Sequence, residues 1–393
     1  VRRNRERGRG APAVRERARQ GLRTPPPELA AAPDPRHPGF VLAVLVGAGC
    51  VALSVSFQLY DTDFWQHLAV GRAIWTLHQV PRQQLWTWPT YGAPDVNASW
   101  GFRALIWPLW SALGVWGLFG WRWVTTLAAF GLLWGAARRM GARGLAPLVV
   151  GVWCSLVYRQ RSQIRPETLV AVLLALELWI LEGWRAGGRD RRWWLAGIAL
   201  VWANVHISYW LGLAVQGVYA LGAQRAGRAG WGGRRAALGV LGASALVSLI
   251  NPWGWGALWQ PFDYFLHWRH EPIFHTIGEL QPINWSYNLR NGLVLQIVAW
   301  VVLMVWRARR FGLDPVEPLL FLLLAVQAFP SQRFLGFFEL VAFPFLARDL
   351  DAWLRARVRS QAPQPAAQGP SVAAPGRGVW PRAALTAAAC ILI

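Results

Sequence analysis

The sequence predicts an all-α polytopic membrane protein, and three observations carry that expectation. The 393 residues are 54% hydrophobic with 28 Trp and a mean hydropathy of +0.26, more apolar surface than a water-surrounded core could hide. The apolar residues fall into successive runs, not scattered positions. Between the runs lie short loops rich in arginine, the pattern of the positive-inside rule.

Residues 1 to about 37 are rich in Arg, Ala and Pro and lack apolar periodicity, so they read as a disordered tail. Nine arginines precede Pro25, too much charge for the start of an ordinary signal peptide. The tail is expected to stay cytoplasmic and point the first apolar run, Phe40 to Gln58, outward. That run is about 19 residues, enough to cross a bilayer. Two apolar pieces follow, Phe102–Val115 and Trp121–Ala137. Later runs are Leu145–Tyr158, Glu167–Trp184, Trp193–His206, Tyr209–Ala223, Ala236–Ile250, Gly292–Trp306, Pro315–Ala328 and Phe334–Ala347. Arg clusters at 138–143, 185–192, 225–235, 307–310 and 348–359 are each separated by two runs, so all can share the cytoplasmic side with the tail. Parity then allows only one of the two pieces in 101–137 to cross. Trp121–Ala137 is expected to span, and Phe102–Val115 to be broken or re-entrant.

This placement has a consequence for function. With the Arg loops inside, Asp61, Asp63, His67, Arg159, Arg161, Arg165, Asn204, His206, Asn251, Glu279 and Arg333 all reach the opposite face. Ionisable residues gathered near span ends mark a functional cavity.

Other classes are disfavoured. The net charge of +21 is all arginine, since the chain has no Lys, and most of it lies in loops, so no nucleic-acid partner is expected. Cys50, Cys154 and Cys390 lie in apolar runs and read as small core residues, with no disulfide framework or metal knuckle. No phosphate-cradling glycine loop, nucleophile elbow or nucleotide-binding unit is present. No cofactor is readable, and a divalent cation has no support. The chain starts with Val and stops within an apolar run at Ile393, which reads as a fragment.

The central stretch is Tyr60 to Gly71. Asp63 and His67 are four apart and share a face if helical, a candidate acid–base pair. The plainer alternative makes Asp61 the cap of a helix starting near Asp63, and Trp65 and His67 interfacial anchors. Tyr158 to Glu167 carries Arg159, Arg161 and Arg165 on the face where the charge rule expects none. Either they hold a phosphate, helped by free N–H groups near Pro166, or they pair with lipid headgroups or Asp61 and Asp63. Asn204 and His206 close a run, as ligand contacts or helix caps. Residues 251–290 hold His267, His270 and Glu271, spaced poorly for a metal. Their Trp and Phe neighbours suit an interfacial helix, Trp255 to Trp268, whose aromatic faces could stack on a sugar.

These motifs, in this order, resemble a bacterial family placed with the GT-C glycosyltransferases. The family pattern D-x-D-x-W-W-H-L-x-x-G is matched by Asp61, Asp63, Trp65, His67, Leu68 and Gly71, with Gln66 for the second Trp. Pro81-Arg82 and Thr90-Tyr91-Gly92 follow, with Gln84 where an Asp is expected, a change that bears on acceptor or metal handling. Arg161 with Arg165-Pro166, then Trp202, Asn204 and His206, then Asn251-Pro252 and Gly254, and finally Glu279 continue the match. His206 is followed by Ile207-Ser208 where the family has glycines. The resemblance implies a GT-C-like bundle of about 10–12 transmembrane helices with short or broken helices around an extracytoplasmic cavity. It implies sugar transfer from a polyprenyl-phosphate-linked donor to a lipid, glycan or protein acceptor in the cell envelope. Asp63 would be general base, positioned by Asp61 and balanced by His67, while Arg161 and Arg165 hold the leaving phosphate. Asn204, His206, Glu279 and Arg333 would complete substrate binding.

The expected organisation is a basic tail (1–38), a transmembrane domain (39–350) with external loops 59–101 and 251–290, a linker (351–378), and the start of another span (379–393). The expected location is the bacterial inner membrane, multi-pass, with membrane lipid as a partner. Two alternatives stand beside the transferase: a transporter or flippase of an anionic lipid-linked glycan, and a non-catalytic membrane scaffold of the same fold.

Overall fold

The computed structural model describes residues 34–222, 231–361 and 379–393. The tail up to residue 33, the Arg cluster through residue 230 and the linker from residue 362 to 378 lie outside the described residues.

Among the described residues the chain is helical: α1 (Pro38–Ser54), α2 (Asp63–Leu77), α3 (Trp100–Arg139), α4 (Ala146–Tyr158), α5 (Pro166–Arg185), α6 (Trp194–Val205), α7 (Tyr209–Gly222), α8 (Trp231–Ser248), α9 (Trp255–Leu266), α10 (Trp285–Arg290), α11 (Leu293–Phe311), α12 (Val316–Ala328), α13 (Leu335–Gln361) and α14 (Val379–Leu392). One isolated β-bridge, Gln83 to Pro94, closes the long loop after α2. Proline in the first turn starts α1, α4 and α5, where its missing N–H costs nothing. The Asn284 side chain accepts from the Tyr287 amide and caps α10. Left-handed His78 ends α2, and Gly312 at φ 90° ends α11.

The core lies where α5 packs along α3 and α13 along α4, with α6 on α8, α14 on α1 and α2 on α3. Val170, Ala171, Leu174 and Ala175 of α5 and Phe338, Val341 and Phe345 of α13 are fully or almost fully buried in it. The approach of α2 to α3 requires Gly71: a Cβ there would sit inside contact distance of the Arg103 carbonyl and the Trp107 side chain. Gly71→Ala is therefore expected to lower stability by about 1–3 kcal/mol, measurable by urea unfolding. An unchanged midpoint would mean that α2 shifts freely on α3.

The apolar runs are helices at nearly the expected positions, but the polytopic bundle and the multi-pass inner-membrane placement are corrected. Among the described residues one helix, α3, is long and apolar enough to cross a membrane. It is itself broken at Gly114, at the end of the first apolar piece, where φ is 56° and ψ −139°. The apolar helices α1, α6, α12 and α14 have 10–17 residues, short of the ~20 that a span needs. The longer helices carry charge within their length. Helix α5 holds Glu167, Glu177, Glu182 and Arg185; α11 ends in Arg307, Arg309 and Arg310; α13 holds Glu339, Arg348, Asp349 and Asp351. Many of the basic residues are not free loop charges. Arg348 is buried against Glu317 and Asp349, and Arg185 bonds Glu182 at 2.8 Å and Asp314 at 2.7 Å. Arg139 lies over the Trp179 ring at 3.4 Å. Arginines engaged in this way fold the chain against itself, so the topology drawn from their loops loses its basis.

Candidate functional site

Seven of the nine residues singled out as site candidates meet at one end of the bundle, all at helix ends. Asp61 lies in the turn after α1, and Asp63 is the first residue of α2. Arg161 is in the 3₁₀ turn Arg159–Ser162, and Arg165 caps α5. His206 ends α6; Glu279 and Arg333 sit in the turns Gly278–Leu280 and Gln332–Phe334. Gln332 joins those two turns, its amide donating to Gln281 O at 2.9 Å and its side chain to Gly278 O at 2.7 Å.

Arg165 is the hub. Its Nε and one terminal nitrogen grip both Asp61 oxygens, the latter at 2.9 Å. It also reaches Asp63 at 3.1 Å and Glu279 at 2.7 Å. Four of about five guanidinium N–H groups are thus committed to three carboxylates. Burial opposes its charge, but the Asp61 hydrogen bond and then Glu279 hold its pKa above the ordinary arginine value. Asp61 is nearly buried, and it also caps α2 by accepting from the Asp63 amide at 3.1 Å.

Glu167, in the first turn of α5, is a second hub. It accepts from Arg161 at 3.4 Å and Arg333 at 3.1 Å, and lies 3.6 Å from His206 Nε2. Burial pushes its pKa up, but His206, Arg333 and Arg161 outweigh this and hold it well below the usual carboxylate range. The Ser208 amide donates to His206 Nδ1 at 3.1 Å, so in the neutral ring Nε2 carries the proton and faces Glu167. Glu279 bonds Arg161 at 2.8 Å, and Arg161, Arg333 and Arg165 together overcome its burial and lower its pKa.

His67 and Asn204 stand apart. The His67 ring is buried on α3, where Nδ1 accepts from Arg103 Nε at 3.1 Å. Burial first, then Arg103, depresses its pKa to about 3, so it is neutral and does not balance the Asp63 charge. Asn204 is a tie: it accepts from Trp100 Nε1 at 2.9 Å and donates to Leu200 O and Ile250 O. Arg159 stacks over Phe57 outside the cluster. His267 lies 3.4 Å from Asp263 and His270 accepts from Arg269 at 3.1 Å. Among the described residues no group of three or more His, Cys, Asp or Glu is placed to hold a metal ion.

Among the described residues three cavities touch the cluster. One, of about 300 Å³, touches Asp61 and Gln163 from the side of Phe64 and Trp110. The other two share Arg165 and Glu279 in their walls. The larger, about 680 Å³, has Asp63, Glu167, His206 and Arg333 at one end; Trp210, Tyr264, Phe265, Trp268 and Phe274 line the rest. The smaller, about 290 Å³, lies on the Asp61 side. Sequence reasoning passed over Glu167 and Arg103. Glu167 was legible as an acid in the first turn after Arg-Pro, a position favoured by the helix dipole.

No protein-family model matches the chain, and no curated protein matches it. With no matching family model and one span-length helix in place of a bundle, the assignment to the GT-C family is corrected. The membrane-embedded glycosyltransferase falls with it, as do the flippase and membrane-scaffold alternatives. Each rested on a polytopic bundle holding its cavity at one membrane face, and the helices described here do not make one.

Proposed function

We propose that the chain binds a carbohydrate-bearing amphiphile in the larger cavity. The observation that carries this is the cavity's division into an end of paired ions and a body of aromatic walls. Charge bookkeeping decides between a phosphate and a neutral head. Asp61, Asp63, Glu167 and Glu279 outnumber Arg161, Arg165 and Arg333, and the arginines are already paired. A phosphate would add negative charge where carboxylates already outnumber guanidinium groups and each guanidinium is already paired with at least one carboxylate. A neutral polyol meets what remains. Asp63, 59% exposed and held by one bond, offers acceptor oxygens; Arg333, 32% exposed, offers donors. Aromatic walls with a few convergent polar groups are the usual make-up of a small-molecule site.

A glycan partner fits this chemistry; a polyprenyl-phosphate-linked sugar carries both head types and separates in the test. The test titrates hexyl glucoside, hexyl phosphate and hexanol below their aggregation limits, read by tryptophan fluorescence. Hexyl glucoside is expected to bind at least about tenfold more tightly than either other probe. Tighter binding of hexyl phosphate would overturn the reading, as would equal binding of hexanol.

A second reading, that the site also turns its ligand over, rests on Asp63. It is the most exposed of the four carboxylates and lines the larger cavity, placed to take a proton from a bound hydroxyl. Mass spectrometry of protein incubated with hexyl glucoside alone should then show hydrolysis to glucose and hexanol, a turnover that Asp63→Asn does not perform. Water forms the new bond at the anomeric carbon as Asp63 takes its proton, and the hexyloxy group leaves as the protonated alcohol. Identical products from both proteins would remove Asp63 from the chemistry.

A further inference from the structure

We infer that the smaller cavity is a second binding site, for a small neutral polyhydroxylated molecule, separated from the first by the Arg165–Glu279 pair. The inference rests on the proposed reading only in that both ligands are hydroxyl-bearing; the cavity itself is a separate observation. Its charged groups are already satisfied: Arg161 by Glu279 at 2.8 Å, and Asp61 by Arg165. What remains to meet a ligand is uncharged. Tyr60, Thr62 and Gln160 line the cavity, and their side chains make no hydrogen bond to the protein among the described residues.

Gln163 supplies a more pointed requirement. It is 4% exposed and lies in the wall between this cavity and the one lined by Phe64 and Trp110. The fully buried Arg122 donates to its Oε1 at 3.1 Å, which fixes the orientation of the amide. Its Nε2 is then left buried with no partner. A buried donor without a partner is unfavourable, and an acceptor oxygen brought within its reach would relieve it. A neutral ring of hydroxyls offers that acceptor and also donors to the Gln160 and Gln332 amides. An anion would meet Asp61 and Glu279 instead, and a cation would meet Arg161 and Arg165.

The shared wall gives the two sites a relation. Asp61 faces the smaller cavity and Asp63 the larger, and both are held by the one guanidinium of Arg165. Two ligands would therefore be held at once, on opposite sides of a single ion pair.

The experiment uses the full chain, free glucose as probe of the smaller cavity and hexyl glucoside as probe of the larger. Saturation-transfer NMR follows glucose while tryptophan fluorescence follows hexyl glucoside. Glucose is expected to bind with hexyl glucoside present at saturation, without displacing it. Gln160→Trp, which fills the smaller cavity, should weaken glucose at least about tenfold and leave hexyl glucoside within about twofold; Thr62→Val, a milder change, should weaken glucose alone. Mutual displacement would show one site in place of two and overturn the inference while the larger site stands. Absence of glucose binding beside intact hexyl glucoside binding would overturn it as well. If hexyl glucoside fails to bind but glucose binds and Gln160→Trp abolishes it, the larger-site reading fails and this one holds.

Discussion

Replacing Arg165 by Gln is expected to destabilise the fold by about 3–5 kcal/mol, measured by urea unfolding followed through the tryptophans. The substitution strips the nearly buried Asp61 of both its guanidinium bonds and removes one partner each from Asp63 and Glu279. A surface pair would contribute little, because water replaces the lost partner. Asp61 has no such access, with its side chain 4% exposed. Like charge then accumulates, since Asp61, Asp63 and Glu279 all lay within reach of one guanidinium. Adding Asp61→Asn to Arg165→Gln should recover a large part of the loss, because the amide removes the orphaned charge and still caps α2. Losses that simply add in the double variant would mean that the two residues are not coupled. A loss below about 1 kcal/mol for Arg165→Gln alone would mean that water reaches the cluster as it would a surface pair.

The sequence revealed where the helices are and misjudged what surrounds them. Runs such as Tyr209–Ala223 and Pro315–Ala328 became α7 and α12 almost unchanged, because apolar stretches bounded by Gly, Pro and Arg specify helix ends locally. Whether an apolar helix faces lipid or protein is not local. It depends on partners distant in sequence, such as Asp314 and Glu317 for Arg185 and Arg348. Arginines read as topology markers were in several cases halves of ion pairs. The site was legible in a similar measure. Asp61, Asp63, Arg161, Arg165, His206, Glu279 and Arg333 converge because each terminates or precedes a helix, and those termini lie at one end. The alternative in which the arginines pair with Asp61 and Asp63 describes Arg165, whereas Arg161 pairs with Glu279 and Glu167. Helical spacing placed His67 on a face with Asp63 but said nothing of what covers that face. Helix α3 covers it, and Arg103 takes the ring.

His67 should contribute a loss of stability on acidification that begins near pH 6.5. In that window buried Glu339 and Glu317, raised by burial to about 8 and about 7, act in the opposite sense and so must be held constant by comparing variants. Burial and the neighbouring Arg103 hold its folded pKa down to about 3, against an ordinary value of 6.5. A depressed folded pKa means that the unfolded chain binds the proton first. The stabilising contribution is therefore complete above pH 6.5 and is lost as pH falls from 6.5 towards 3. One such group gives a slope of up to about 1.4 kcal/mol per pH unit, so between pH 6.5 and 4.5 the loss is about 2–3 kcal/mol. That window avoids Glu167 and Glu279. Their folded pKa values are also lowered, but their contribution disappears only as pH falls below the ordinary carboxylate value of 4.5. His67→Asn isolates the effect, because the Asn carbonyl can accept from Arg103 Nε in place of Nδ1 and has no proton to gain. Urea midpoints of both proteins across this window should converge as pH falls, the parent losing about 2–3 kcal/mol more than the variant. Parallel curves would show that the ring is protonated inside the fold, and that the bond from Arg103 to Nδ1 does not form.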